Sequence, residues 1–264
     1  MTSIVPMWYD ERGMGDPVVL LHGGLTDSRC FTGNLDRLAD MFKIYLPDRR
    51  GHGRTPDAPG PITIELMAQD TIAFLEQVVG GPARLVGYSV GGTVALWVAM
   101  RRPDLVERLV LISAAYDLDG LIFKPSADGE MPIEIVDAYA EVSPDGRDHF
   151  PVVVDKIVYA AATEPSPDPT DLRAVTARTL VLTGDDDLVT LDHTVALYRA
   201  LPIAELAILP NASHLLLMEH AETVRATVQT FLTTAAAPTY MPIARAHRGG
   251  PEAVEHPAAH SGSR

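Results

Sequence analysis

The order of apolar and polar positions changes period repeatedly along the chain, and those changes predict its elements. "PVVLLHG" (17–23) is a short unbroken apolar run closed by glycine, the pattern of a strand buried on both faces. "SRCFTGNLDRLAD" (28–40) puts Phe31, Leu35 and Leu38 on one face and predicts a helix that Ser28 caps. "FKIYLPD" (42–48) predicts a strand. "TIELMAQDTIAFLEQV" (63–78) predicts an amphipathic helix capped by Thr63 and stopped by Gly80-Gly81. "ARLVGY" (83–88) predicts a third buried strand, and "VGGTVALWVAMRR" (90–102) a helix ended by Pro103. "VERLVLIS" (106–113), "ARTLVLTG" (177–184) and "AELAILP" (204–210) predict further strands, with helical patterns at 191–201 and 220–235.

Strands alternating with helices of this length imply an α/β fold, a mainly parallel sheet wound on both faces. The start, "SIVPMWYDERG", permits an antiparallel hairpin. Residues 117–172 break the alternation with seven prolines and two weaker helical patterns near 132–142 and 150–162, where Pro132 and Pro151 suit first helical turns. Such an insertion at the carboxyl end of a strand predicts a small helical cap, so the expected organisation is a core of 1–116 and 173–235 with a lid at 117–172. From 236 to 264 the periodicity stops and Ala, Pro, Gly and His prevail, which predicts a disordered tail.

Composition narrows the function classes. Hydrophobic residues make up 47% of the 264, enough for a sizeable core, and the net charge of −14 repels phosphate backbones and anionic membranes. Nucleic acid is therefore disfavoured as a partner. The single cysteine, Cys30, excludes an intrachain disulfide and a multi-thiolate metal site. No apolar run approaches the roughly 18 residues of a membrane span, and the start lacks a signal-peptide pattern. The expectation is a cytoplasmic protein without cofactor or metal. The oligomeric state stays open.

Candidate chemistry centres on "VGYSVGG" (86–92). Ser89 sits between a predicted buried strand and a predicted helix, the context that gives G-x-S-x-G its meaning. So tight a turn forces the serine to positive φ, and Gly87, Gly91 and Gly92 leave room for it. The hydroxyl is lifted over the sheet, where the free N–H groups of the helix start converge. Val90 N–H, next after the nucleophile, is a donor for a forming oxyanion. A serine needs a base. "LPNASHLLLMEH" (209–220) puts His214 in a loop after the last strand, and "LTGDDDLVT" (182–190) puts three aspartates after the strand before. Both loops leave the edge that carries Ser89. The triple aspartate lacks the second acidic cluster a divalent cation would need, and the glycines do not form a dinucleotide motif.

The motifs "LLHGG" (20–24), "PDRRGHGRT" (47–55), "GYSVGG" (87–92) and "GDDDLVT" with "NASH" together resemble the α/β-hydrolase superfamily over about residues 4 to 235. The resemblance implies Ser89 as nucleophile, His214 as base and Asp187 as acid, since the family's acid commonly stands three residues after the glycine closing its strand. Asp117 is the reserve, because some members carry the acid one strand earlier. It also implies Gly24 as the second oxyanion donor, with Leu25 beside it. His22 and His52 read as structural loop histidines, and His149 and His193 show no partner signal. The lid residues Tyr116, Tyr139, Val153, Ile157 and Tyr159 are the expected source of selectivity. Leu215 is a further substrate-binding candidate, though it and Trp97 read equally well as core.

The implied activity is cleavage of a carboxylic ester or lactone with a small to medium apolar acyl group, by way of an acyl-enzyme. Carbon–carbon bond hydrolysis and perhydrolysis are the alternatives within the family. A ligand receptor that keeps the triad is the alternative outside enzymes.

Overall fold

The computed structural model describes residues 4–124, 131–235 and 239–241. Seven strands form one sheet: β1 (Tyr9–Arg12), β2 (Pro17–Leu21), β3 (Lys43–Pro47), β4 (Ala83–Tyr88), β5 (Val106–Ile112), β6 (Arg178–Asp186) and β7 (Ala204–Ser213). Their order is β1-β3-β2-β4-β5-β6-β7, and every pairing is parallel except that of β1 with β3. Among the described residues seven α-helices accompany them: α1 (Ile64–Phe74), α2 (Val90–Arg101), α3 (Ile133–Val142), α4 (Phe150–Thr163), α5 (Leu191–Ala200), α6 (Leu216–Glu219) and α7 (Ala221–Thr233).

The two-residue period of a strand divides the interior into two cores. Val19 and Leu21 of β2, Leu85 of β4, and Leu109 and Leu111 of β5 join the cluster that also holds Leu96 of α2 and Leu197 of α5. Their neighbours Val18, Leu20, Val86, Val110 and Ile112 point the other way, onto Val224, Val228 and Phe231 of α7. All ten strand residues are completely buried. Truncating any of the leucines to alanine would cost about 2–5 kcal/mol in transfer and cavity energy. The central strands thus carry unbroken apolar runs because both of their faces are covered.

Two expectations fail here. The amino-terminal hairpin does not form: β1 pairs with β3, because β2 is already hydrogen-bonded to β3 on one side and β4 on the other. The helix expected over 28–40 is two 3-10 turns, Ser28–Phe31 and Leu35–Asp40. Gly33 interrupts it at φ +81°, and Asn34 caps the second turn by accepting from Leu35 N–H. Asp27, not Ser28, caps the first, accepting from Arg29 N–H at 2.9 Å. The Phe31, Leu35 and Leu38 face is buried all the same. The tail expectation lies almost wholly outside the described residues.

Elsewhere local signals match local structure. Thr63 accepts from Leu66 N–H at the start of α1. The helix runs on through a π turn at Leu75–Val79 and stops at Gly80, which adopts the left-handed φ of +85° that glycine takes without strain. Between β5 and β6 lie α3 and α4, and α4 is fastened to the loop after β3. Asp57 accepts from Lys156 at 2.5 Å and from His149 Nε2 at 2.9 Å. Glu164, just past α4, accepts the N–H groups of Ile64 and Glu65 at 2.7 Å each and so helps to cap α1.

Candidate active site

Ser89 occupies the turn from β4 into α2 at φ +53°, ψ −125°. A non-glycine residue held there stores strain of about 1–3 kcal/mol, which the surroundings must overcome. They do so by packing backbone on backbone. A Cβ at Gly87 would lie 2.3 Å from Gly91 O, and one at Gly91 would lie 2.1 Å from Leu21 O. Ser89 N–H is tied to Ile112 O at 2.8 Å, which fixes the turn to the neighbouring strand.

The carboxyl ends of β6 and β7 bring the other two groups. The ladder between them shifts register between Gly184 and Asp186, an irregularity of the kind that re-aims side chains beside functional sites. Gly184 has no room for a side chain, since a Cβ would sit 1.9 Å from Ala212 O. The loop that carries His214 is anchored by Glu219, which accepts from Ser213 N–H at 2.8 Å and from its hydroxyl at 2.7 Å. Tyr88 hydroxyl donates to the His214 carbonyl at 2.7 Å.

The result is a relay. His214 Nε2 lies 3.0 Å from Ser89 Oγ, and His214 Nδ1 lies 2.7 Å from Asp187 Oδ1. Asp187 is buried, which pushes its pKa up. That push is outweighed by hydrogen bonds from His214 and Ser113 and by the charge of His214, so the pKa falls to about 2. The second carboxylate oxygen accepts from Ser113 Oγ at 2.5 Å and Thr183 Oγ1 at 2.9 Å, while Val189 N–H reaches Oδ1 at 3.1 Å. A carboxylate so held orients the imidazole, and an imidazole so oriented can take the serine proton. Asp185 and Asp186 diverge: Asp185 accepts from Ala212 N–H, and Asp186 is exposed. Asp117 caps the turn Leu118–Gly120 instead.

Opposite Ser89 runs the "HGG" loop. Arg49, wholly buried, reaches it from behind: Nη2 donates to His22 O at 2.6 Å and to Gly23 O at 2.7 Å. His22 Nε2 accepts from Arg49 N–H at 3.0 Å, so Nδ1 carries the proton and donates to Gly23 O at 2.8 Å. Gly23 O and Gly24 N–H belong to one peptide, and no peptide among the described residues is cis. Two donors on the carbonyl therefore turn the amide of Gly24 the opposite way. Gly24 stands against Val90, whose Cγ2 would be 3.1 Å from a Cβ at 24. Val90 is the first residue of α2, and its N–H has no intrahelical acceptor. Burial drives the His22 pKa well down and, ahead of the Arg49 charge, brings that of His52 to about 4, so both imidazoles are neutral scaffolding.

Ser89 and His214 open onto a cavity of about 570 Å³, within the size range of small-molecule sites. Its wall is mainly apolar, with Trp97, Tyr116, Leu121, Met131, Val154 and Ile157 among its members. Gly24, Leu25 and Val90 border it as well. Tyr139 and Leu215 do not. Tyr139 is buried against Phe150, ring centroids 5.1 Å apart, and faces a separate small void near Gly51 and His52. Leu215 precedes α6 with 48% of its surface exposed. Ser113 had no signal in the sequence, because a serine at a strand end reads as a turn residue. His193, which showed no partner signal, accepts from Tyr116 N–H across the loop.

An alpha/beta hydrolase family model matches residues 18–227. Lipase LipV of Mycobacterium tuberculosis is 36% identical over 119 residues, 44% of this chain and 45% of that protein. The alignment thus spans less than half the length of that curated relative. Among solved structures, a thermophilic esterase from Thermogutta terrifontis has a TM-score of 0.67 at 28% identity, covering 86% of this chain and 93% of that one. The enol-lactonase from Burkholderia xenovorans has a TM-score of 0.70 at 24% identity, covering 89% of this chain and all of that one, a likeness of fold. The chain belongs to the alpha/beta hydrolase family.

Proposed function

We propose that the chain is a serine hydrolase that cleaves a neutral, largely apolar carboxylic ester or lactone. The observation that carries this reading is the unbroken hydrogen-bond relay from Asp187 through His214 to Ser89, ending at an apolar cavity. In the proposed cycle Ser89 Oγ attacks the carbonyl carbon while His214 Nε2 takes its proton. Asp187 stabilises the imidazolium that forms without itself becoming protonated. The carbonyl oxygen, now an anion, accepts hydrogen bonds from Val90 N–H and Gly24 N–H, each donor contributing about 3–4 kcal/mol of barrier lowering. His214 next protonates the leaving alcohol, then takes a proton from water, and the hydroxide equivalent attacks the acyl-enzyme. Collapse releases the acid and returns the proton to Ser89.

Charge on the cavity wall supports an ester over a dioxo acid, the substrate type of the carbon–carbon alternative. Among the described residues the cation on that wall is Lys124, and its ammonium is bonded to Asp119 at 2.7 Å. The other cap cations are engaged too, Arg147 with Asp137 and Lys156 with Asp57. A substrate carboxylate would enter beside Asp117 and Glu164 with no free cation to meet it. The small-molecule partner is thus uncharged, and the site chemistry needs no cofactor.

A fluorophosphonate probe and a panel of p-nitrophenyl esters and lactones test the proposal, with Ser89→Ala alongside. Labelling and turnover at 1 s⁻¹ or faster that vanish in the variant support it, since typical kcat values are about 1–10³ s⁻¹. Labelling with turnover slower than about once per minute favours the receptor reading. Absence of labelling rejects Ser89 as the nucleophile.

A further inference from the structure

We infer that His193 is a positioning residue for the cavity wall, fixing Tyr116 through an Nε2 acceptor and thereby setting how long a substrate the site accommodates. The inference rests on the ester-hydrolase reading for its substrate, but not for its geometry. His193 lies in the first turn of α5, outside the relay, and is 9% exposed. Its Nε2 accepts from Tyr116 N–H at 3.1 Å, and its ring stacks on the Tyr116 ring with centroids 4.1 Å apart and planes 17° from parallel. The acceptor role assigns the proton to Nδ1, which faces Asp117 Oδ1 at 4.0 Å. One imidazole therefore holds the backbone and the side chain of the same cavity-lining tyrosine.

The surrounding loop is shaped around this ring. A Cβ at Gly120 would lie 2.3 Å from His193 Cγ, so the glycine there makes room for the imidazole. The loop is stitched to its neighbour by Thr190 N–H to Gly120 O at 2.8 Å and by Ile122 N–H to Leu188 O at 3.0 Å. Asp117, Leu118 and Leu121, which follow Tyr116, also line the cavity. Without the acceptor, the Tyr116 amide loses its partner, and the nearest remaining tie on the near side is Thr93 Oγ1 to Ala115 O at 2.7 Å, one residue before the wall. Ser89, His214 and Asp187 are tied elsewhere, so the chemistry on a short ester is expected to proceed unchanged.

Side-chain geometry supplies the test. Glutamine places an amide oxygen as many bonds from Cβ as Nε2, whereas asparagine reaches only as far as Nδ1. Kinetics on esters lengthened in the acyl or in the alcohol half, beside the acetate, compare His193→Gln, His193→Asn and His193→Phe. The expected result is a KM for the longer member of one series raised about fivefold or more in the Asn and Phe variants, the worth of one hydrogen bond. Their kcat and their KM for the acetate stay within about twofold, and Gln restores the wild-type values. Equal losses in Gln and Asn, or a kcat loss shared by short and long esters, would overturn the inference. If wild type turns over no ester, the function reading alone fails. Nitrogen-15 NMR then reads the strut directly: Nδ1–H with an acceptor Nε2 in wild type, and a Tyr116 amide resonance that moves in His193→Asn but not in His193→Gln. A protonated Nε2 in wild type would reject it.

Discussion

Ser113 Oγ donates to Asp187 Oδ2 at 2.5 Å, a contact between the ends of two adjacent strands that no stretch of sequence foretells. Ser113 is held at φ +51°, with its N–H on Leu182 O at 2.8 Å, so the hydroxyl is aimed rather than free to rotate away. It is one of four hydrogen-bonding groups, besides His214, that the carboxylate accepts from. Removing it in Ser113→Ala leaves Thr183 and the backbone donors in place. A hydrogen bond to a charged group is worth about 1.5–3 kcal/mol, and the remaining donors compensate in part, so kcat/KM is expected to fall about tenfold. Fluorophosphonate labelling should slow by a similar factor. An unchanged labelling rate would show that the serine only fills space.

Asp187 itself should matter far more. With Asp187→Asn the amide can no longer hold the Nδ1–H tautomer, and His214 Nε2 then ceases to be a lone-pair acceptor for the serine proton. In the general triad the equivalent change lowers kcat by about 10⁴. Asp117→Asn, by contrast, disturbs a half-buried turn cap outside the relay, and the near-isosteric amide should leave kcat on short esters within about twofold. Kinetics of the two variants side by side separate the acid from its reserve. A larger loss in Asp117→Asn would reassign the role.

The contrast explains which parts of the molecule were legible in the chain. The strand and helix alternation was readable because each central strand is an unbroken apolar run, and the Ser89 turn because its glycines lie within five residues. The failures have two causes: a local break that intact apolar spacing hides, and a deciding partner remote in sequence. Gly33 and Asn34 break a helix whose apolar spacing is intact, since burial of Phe31, Leu35 and Leu38 is served as well by two 3-10 turns. Tyr139 carries the residue type of a pocket wall, yet α3 turns it onto Phe150. Tyr116 does line the cavity, held by a histidine 77 residues away.

Arg49 offers a way to separate stability from catalysis. Its guanidinium is completely buried and donates to two carbonyls, to Met67 Sδ and, among the described residues, to no carboxylate, and burial lowers its pKa to about 9. Exchanging a whole buried ion pair for apolar side chains is often neutral, but removing a lone buried donor costs about 1–3 kcal/mol for each buried acceptor left unsatisfied. Arg49→Met takes a donor from His22 O and from Gly23 O, so Tm should fall while the folded protein can still be assayed at about 25 °C. The Gly23–Gly24 peptide, however, loses a donor on its carbonyl, and with it the polarisation and orientation of the Gly24 N–H. On the proposed oxyanion role of Gly24 N–H, a fraction of one donor is at stake, so kcat is expected to fall about 10- to 100-fold with little change in KM. A parallel loss of folding and activity would mean that the arginine serves the scaffold alone.

His52 makes the folded state sensitive to acid. Its ring is 3% exposed, Nδ1 donates to Arg50 O at 2.8 Å, and burial, reinforced by the Arg49 charge, lowers its pKa from 6.5 to about 4. The folded state thus holds the neutral ring while the unfolded chain takes up a proton below pH 6.5. Because the unfolded state binds more protons in that window, stability is complete above 6.5 and declines as pH falls toward 4. Each unit is worth about 1.4 kcal/mol, so this one residue accounts for about 3 kcal/mol across the interval. Denaturant midpoints measured between pH 7 and 4 should fall steeply in wild type. In His52→Phe, a ring of similar size that binds no proton, the slope should decrease by close to one proton. An identical slope in the two proteins would show that other groups, His22 first among them, carry the acid sensitivity.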